Sequence, residues 1–177
     1  MEDILLHSEE YILKVKEHMD YCDYIKAKRL LTELLEEQPD HGRAHQMLGW
    51  IYASELNQYH DAEVHLKMAI QFDPGHAATY SDYMYLLKMT GRYNEMVSFA
   101  RRAERLSGVN LVYILYYKAV AYEMLYDYGN AISTYRRAIT ASLDDDWIGK
   151  CEQGIARINK KMTHQEELSY LSNCNIA

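Results

Sequence analysis

A chain of 177 residues is long enough to fold as one domain, and a hydrophobic content of 49% excludes wholesale disorder. The formal net charge of −7 argues against general nucleic-acid binding and favours partners with basic surfaces. Three cysteines, Cys22, Cys151 and Cys174, are odd in number, far apart and without CxxC spacing, which points to a reducing compartment. The opening residues, Met1-Glu2-Asp3-Ile4-Leu5-Leu6-His7, are acidic and lack both the basic and the long apolar region of a secretory signal. The longest strongly apolar stretches, such as residues 111–117, fall far short of a membrane span. A cytoplasmic protein with no membrane partner is expected.

Two prolines, eight glycines and many Leu, Ala, Glu, Lys and Met favour helix. In residues 24–37, Ala27, Leu30, Leu31, Leu34 and Leu35 recur at three and four residues and build one apolar stripe. Pro39 stops that helix. Asp40 and Gly42 supply a turn before Ala44, Met47, Leu48, Ile51 and Tyr52 start the next stripe. Residues 61–72 repeat the pattern with Ala62, Leu66, Ala69 and Ile70, ended by Asp73-Pro74-Gly75. Each unit is therefore two helices of about 12–15 residues joined by a short turn. After Asp144-Asp145-Asp146, residues 147–162 read as an amphipathic helix with Trp147, Cys151, Ile155 and Ile158 on one face, its start favoured by the aspartates. Thr163-His164-Gln165-Glu166 has the form of a capping box, so residues 163–177 are expected as a separate short helix or a flexible tail. No stretch alternates with period two, and the fold class is all-α.

One phrase returns about every 34–35 residues. It reads most fully as Gly49, Tyr52, Tyr59, Ala62, Ala69 and Pro74, and again as Ala119, Tyr122, Tyr128, Ala131, Tyr135 and Ala138. Shorter copies are Tyr24, Ala27, Leu31, Leu34, Pro39 and Gly91, Tyr93, Ala100, Ala103, Gly108. The pattern resembles the tetratricopeptide repeat, a helix–turn–helix unit of that length. The resemblance implies a right-handed α-solenoid of antiparallel helix pairs, one array over 1–162, with repeats at about 8–41, 42–76, 77–111 and 112–145 and a capping helix at about 146–162. The second repeat matches best, with one extra residue in its turn around 54–58. In the first, Val15 and His18 replace the small residue and tyrosine. In the third, bulky Met84 and Leu87 stand there, and in the fourth Lys118 replaces an apolar residue beside Ala119. The small residues have a packing reason: Gly49, Ala62, Ala69 and their counterparts let paired helices approach.

Catalytic and ligand motifs are absent from the sequence. His41 and His45 are four apart and His60 and His65 five apart, but no third or fourth ligand, HExxH or CxxC completes a metal set. Neither GxGxxG, GxxxxGK[ST] nor GxSxG occurs, so no cofactor and no catalytic residue is assigned. The basic run Lys88, Arg92, Arg101, Arg102 and Arg105 reads as a solvated face paired with Glu95 and Glu104.

The resemblance also implies a concave surface lined by fixed positions of each first helix. Here these include Lys16 and Met19 in the first repeat, then Arg43, Gln46 and Trp50 in the second. The third supplies Ser81, Tyr85, Lys88 and Met89, and the fourth Tyr113, Tyr116 and Glu123. Trp, Tyr and Met suit a groove for a peptide or helix of another protein. The competing expectation is that such residues pack on the next helix or lie under residues 163–177. Relatives that capture the C-terminal carboxylate of chaperones place Lys, Asn and Arg where this chain has Ile12, Lys16, Met47, Ala78 and Asp82; one of these is cationic, and Asp82 would repel a carboxylate. A non-catalytic adaptor or scaffold is the leading expectation. The alternatives are a self-associating subunit, for instance a homodimer, and a dedicated chaperone for one substrate protein.

Overall fold

The computed structural model describes the backbone of residues 2–174 and the side chains of residues 7–164. Among them are nine α-helices and no strand: α1 (Glu2–Asp20), α2 (Tyr24–Glu37), α3 (Gly42–Ser54), α4 (Tyr59–Phe72), α5 (Ala77–Met89), α6 (Tyr93–Ala103), α7 (Leu111–Met124), α8 (Tyr128–Ala141) and α9 (Asp145–Cys174). None of the described helices is long and apolar enough to cross a membrane. The fold is the all-α helical-repeat architecture that the recurring phrase implies. The chain divides into two compact units. One unit takes residues up to Thr90 with Leu106–Val109, and the other takes Gly91–Arg105 with residues from Asn110 on, so the division falls inside the third repeat.

The turn inside each repeat follows one backbone rule. Cys22, Asn57, Gly91 and Tyr126 all have left-handed φ, between 53° and 68°, and each lies two residues before the tyrosine that opens the next helix. Behind Cys22, Asp23 N–H donates to His18 O, and behind Tyr126, Asp127 N–H donates to Tyr122 O, which closes a Schellman end on α1 and α7. The following helices are capped locally, with Asp23 accepting from Lys26 N–H and Asp127 from Asn130 N–H. Glycine is the residue that adopts this conformation without strain, yet it stands at one of the four positions.

In the first unit, α1 packs on α2, α2 on α3, α3 on α4, and α5 on both α3 and α4. Ile12, Val15, Ala27, Leu31, Leu34, Leu48 and Ile51 form its buried centre. Val15, which replaces the small residue of the pattern, is fully buried there. Gly49 has the predicted packing role, since a Cβ on it would lie 2.6 Å from Leu66 Cγ.

In the second unit, α7 packs on α6, α8 and α9, and α8 also packs on α9. Tyr135 is fully buried at its centre, beside Leu115, Ala119, Ala131, Ala138, Cys151 and Ile158. Gly154 brings α9 onto the Tyr135 ring so closely that a Cβ would lie 2.5 Å from Cζ. Lys118, the polar residue in an apolar position, is buried and pairs with Glu104, which Arg137 also reaches. Helix α9 differs from expectation: it is one continuous helix through the point where a separate helix was expected to begin. There the Thr163 hydroxyl donates to Asn159 O, 3.1 Å away, as a residue inside a helix does. Asp144 stands just before α9, and its carboxylate accepts from Asp146 N–H at 2.8 Å.

Candidate partner-binding cleft

The first unit holds an open cleft of about 470 Å³. It is lined by Lys16, Met19 and Asp20 of α1, Arg43, Gln46, Met47 and Trp50 of α3, His76 before α5, and Asp82 of α5. Helical spacing explains the set: residues 43, 46, 47 and 50 share one face of α3, and 16, 19 and 20 share one face of α1. Trp50 is half-buried, its ring 5.9 Å from that of Tyr24. Arg43 leans toward Glu9 at 3.6 Å. Gln46 Nε2 donates to Asp82 Oδ2 at 2.6 Å. Burial pushes the Asp82 carboxyl up to about 6 against the lowering effect of that hydrogen bond.

Five of the residues expected on the concave surface therefore meet in this cleft: Lys16, Met19, Arg43, Gln46 and Trp50. Ser81, Tyr85, Lys88 and Met89 belong to the same unit but do not line it. Ser81, Tyr85 and Lys88 are half-buried, and Met89 is exposed.

In the second unit Tyr113, Tyr116 and Glu123, also expected on the concave surface, face α9. The Trp147 ring lies 5.9 Å from Tyr113 and 5.3 Å from Tyr116, each edge to face. Glu123, 5% exposed, accepts from Arg157 Nε and Nη2 at 2.8 and 2.6 Å, and from Lys161 Nζ at 2.8 Å. The Tyr135 hydroxyl donates to it as well. Burial alone would raise the Glu123 carboxyl, but the hydrogen bonds from Arg157 and Lys161 overturn that effect and hold it at about 2. The covering side chains at 147, 157 and 161 belong to the next helix, one of the two expected sources of cover; the other, residues 163–177, has its side chains beyond 164 outside the described residues.

A second hollow of the first unit, about 410 Å³, lies beside His45 and His65, with Leu35, Leu48 and Met68 in its wall. His45 is buried, and its Nε2 lies 2.9 Å from Pro39 O. A carbonyl only accepts, so Nε2 carries a proton, and in the neutral ring Nδ1 is left to accept from His65 Nδ1 at 2.9 Å. Burial lowers the His65 pKa, and His45 lowers it further. Tyr52 stacks on His65 and Phe72 on His45. The pair is a packed hydrogen-bonded element, and no group of three or more His, Cys, Asp or Glu among the described residues is placed to hold a metal. Sequence spacing paired His41 with His45 and His60 with His65; the contact across helices crosses those pairs.

The basic run is dispersed. Arg92 pairs with Glu95 as expected, but Glu104 goes to Lys118 and Arg137. Arg101 donates to the Tyr122 hydroxyl, and Arg102 lies over the Phe99 ring.

Residues 42–76 match the tetratricopeptide-repeat family. No curated protein matches the chain by sequence. Several solved structures share its fold. MamA is 19% identical, covers 97% of this chain and 90% of its own, and superposes with a TM-score of 0.76. Pseudomonas aeruginosa pilF is 14% identical over 89% of this chain and 72% of its own, with a TM-score of 0.74. PilW, a type IV pilus biogenesis factor, is 16% identical over 88% and 78%, with a TM-score of 0.70. At these identities the likeness is one of fold.

Proposed function

We propose that the chain is a tetratricopeptide-repeat protein, as the match over residues 42–76 and the shared helical-repeat fold support, and that it is a non-catalytic adaptor or scaffold whose first unit holds a peptide or helix of another protein in the cleft among α1, α3 and α5. The open cleft lined by Trp50 together with Met19 and Met47 carries this reading. An aromatic anchor with adaptable thioethers beside it buries area at little entropy cost. The polar groups around it, Lys16, Arg43, Gln46 and Asp82, set orientation. Acidic net charge speaks against nucleic acid as the partner, and the cysteine usage supports a cytoplasmic setting.

Affinity capture from the native cell tests the assignment, comparing the wild-type chain with Trp50→Ala. We expect Trp50→Ala to lose the partner while far-UV circular dichroism stays that of the wild type. Undiminished capture by the folded variant overturns the cleft.

A further inference from the structure

An acid sits against the first-helix aromatic surface in each unit, and the two are compensated differently. Glu123 lies beneath α9 and receives two cations, Arg157 and Lys161. Asp82 receives one neutral donor, Gln46 Nε2, on Oδ2. Among the described residues no cation pairs with it, and its Oδ1 makes no hydrogen bond. Lys16 and Arg43 line the same cleft, but Arg43 turns to Glu9 and neither pairs with Asp82. A half-buried carboxylate matched by a single amide at the wall of an open cleft favours any cation that reaches it.

Helix α9 shows, within this chain, what such a surface accepts. It lays Trp147 on Tyr113 and Tyr116 and delivers Arg157 and Lys161, four residues apart on one helix face, to the acid behind them. The cleft of the first unit offers the same pair of features, an aromatic surface at Trp50 and an acid at Asp82, with no segment of the described chain supplying the cation.

Resting on the reading of the cleft as a partner site, we propose that it selects a partner segment bearing a Lys or Arg side chain, whose alkyl stem lies on Met47 and Trp50 and whose charged head pairs with Asp82. A carboxylate-bearing segment is repelled by the same acid. The side chain supplies both an apolar stem and a charge-assisted hydrogen bond.

A randomised peptide library displayed on phage and selected on the full chain tests this. Recovered peptides are resynthesised with each basic residue exchanged for norleucine, and affinities are compared on the wild type, Trp50→Ala and Asp82→Asn. We expect recovered peptides that lose binding on Trp50→Ala to be enriched in Lys or Arg. One exchange to norleucine weakens binding by about tenfold on the wild type, the scale of a charge-assisted pair, and by much less on Asp82→Asn. Peptides that need Trp50 but bind equally with norleucine overturn the cation pairing and leave the cleft standing. Failure to recover any peptide sensitive to Trp50→Ala overturns both. Should Asp82→Asn lose helicity, the lysine and norleucine peptides on the wild-type chain still decide.

Discussion

The two units build corresponding surfaces and leave them in opposite states. In the second, Tyr113, Tyr116 and Glu123 are covered by α9, and the acid is paired with two cations. In the first, Trp50 and Asp82 stand in an open cleft, and the acid has one amide for company. The repeat pattern treats these surfaces as equivalent, since it fixes only the small residues that let helices meet. What separates them is the segment that follows α8. A chain that fills one aromatic surface with its own tryptophan and two cations shows the chemistry that fits the other.

The largest effect is expected where the covered surface loses its cations. Arg157→Ala with Lys161→Ala leaves Glu123 buried and unpaired, and should cost about 3 kcal/mol in urea unfolding. The pH dependence has a definite sign. Glu123 is held at about 2, below its ordinary value of 4.5, so its contribution is present above that value and is lost as pH falls toward 2. The double variant should lack this acid-labile part, and Glu123→Gln placed on it should recover stability. A double variant with wild-type stability would mean that α9 is held by Trp147, Cys151 and Ile158 alone.

Much of this architecture was legible in the sequence. The stripe of Ala27, Leu31 and Leu34 and the stop at Pro39 place α2 where it is observed, because an apolar face and a chain break are local signals. Trp50, Gln46 and Arg43 share a cleft because one helix face carries them all. Asp82 was legible only as a residue hostile to carboxylates; its bond to Gln46 spans 36 positions and depends on how α5 packs against α3. The same limit hid the His45–His65 pair. The apolar stripe of α9 was plain, but where Arg157 and Lys161 land is set by the helix packed beneath it. The capping box at Thr163 misled for a local reason: inside a running helix, the Asn159 carbonyl is already in place to take the hydroxyl.

The open surface should respond in the opposite direction. Asp82 is held at about 6, above its ordinary value of 3.8, so the folded state prefers the protonated form. Stability from this group rises as pH falls from about 6 toward 4 and is lost again as pH climbs through 6. Asp82→Asn removes the charge and keeps the shape. It should stabilise the chain at pH 7 by about 1–2 kcal/mol, less than full linkage implies because the side chain keeps some contact with water. The gain should vanish near pH 4. Opposite signs for Asp82→Asn and for loss of the Glu123 cations separate a surface shaped for a ligand from one already filled. Destabilisation by Asp82→Asn at pH 7 would show instead that the acid is structural.

The smallest effect tests a feature that both units share. Cys22 in the first unit and Tyr126 in the second hold left-handed φ of 57° and 61° without glycine. That conformation strains a side-chain-bearing residue by about 1–2 kcal/mol, and glycine removes the strain at an entropic cost of about 0.5–1 kcal/mol. Tyr126→Gly and Cys22→Gly should therefore each stabilise by about 0.5 kcal/mol, provided the replaced side chain contributes little, as two exposed residues should. Gly91→Ala runs the exchange backwards at φ 68° and should destabilise by about 1 kcal/mol. Tyr126 also lies 6.2 Å from the Tyr128 ring, so a loss on Tyr126→Gly beside a gain on Cys22→Gly would assign that ring contact a real share of the second unit's stability.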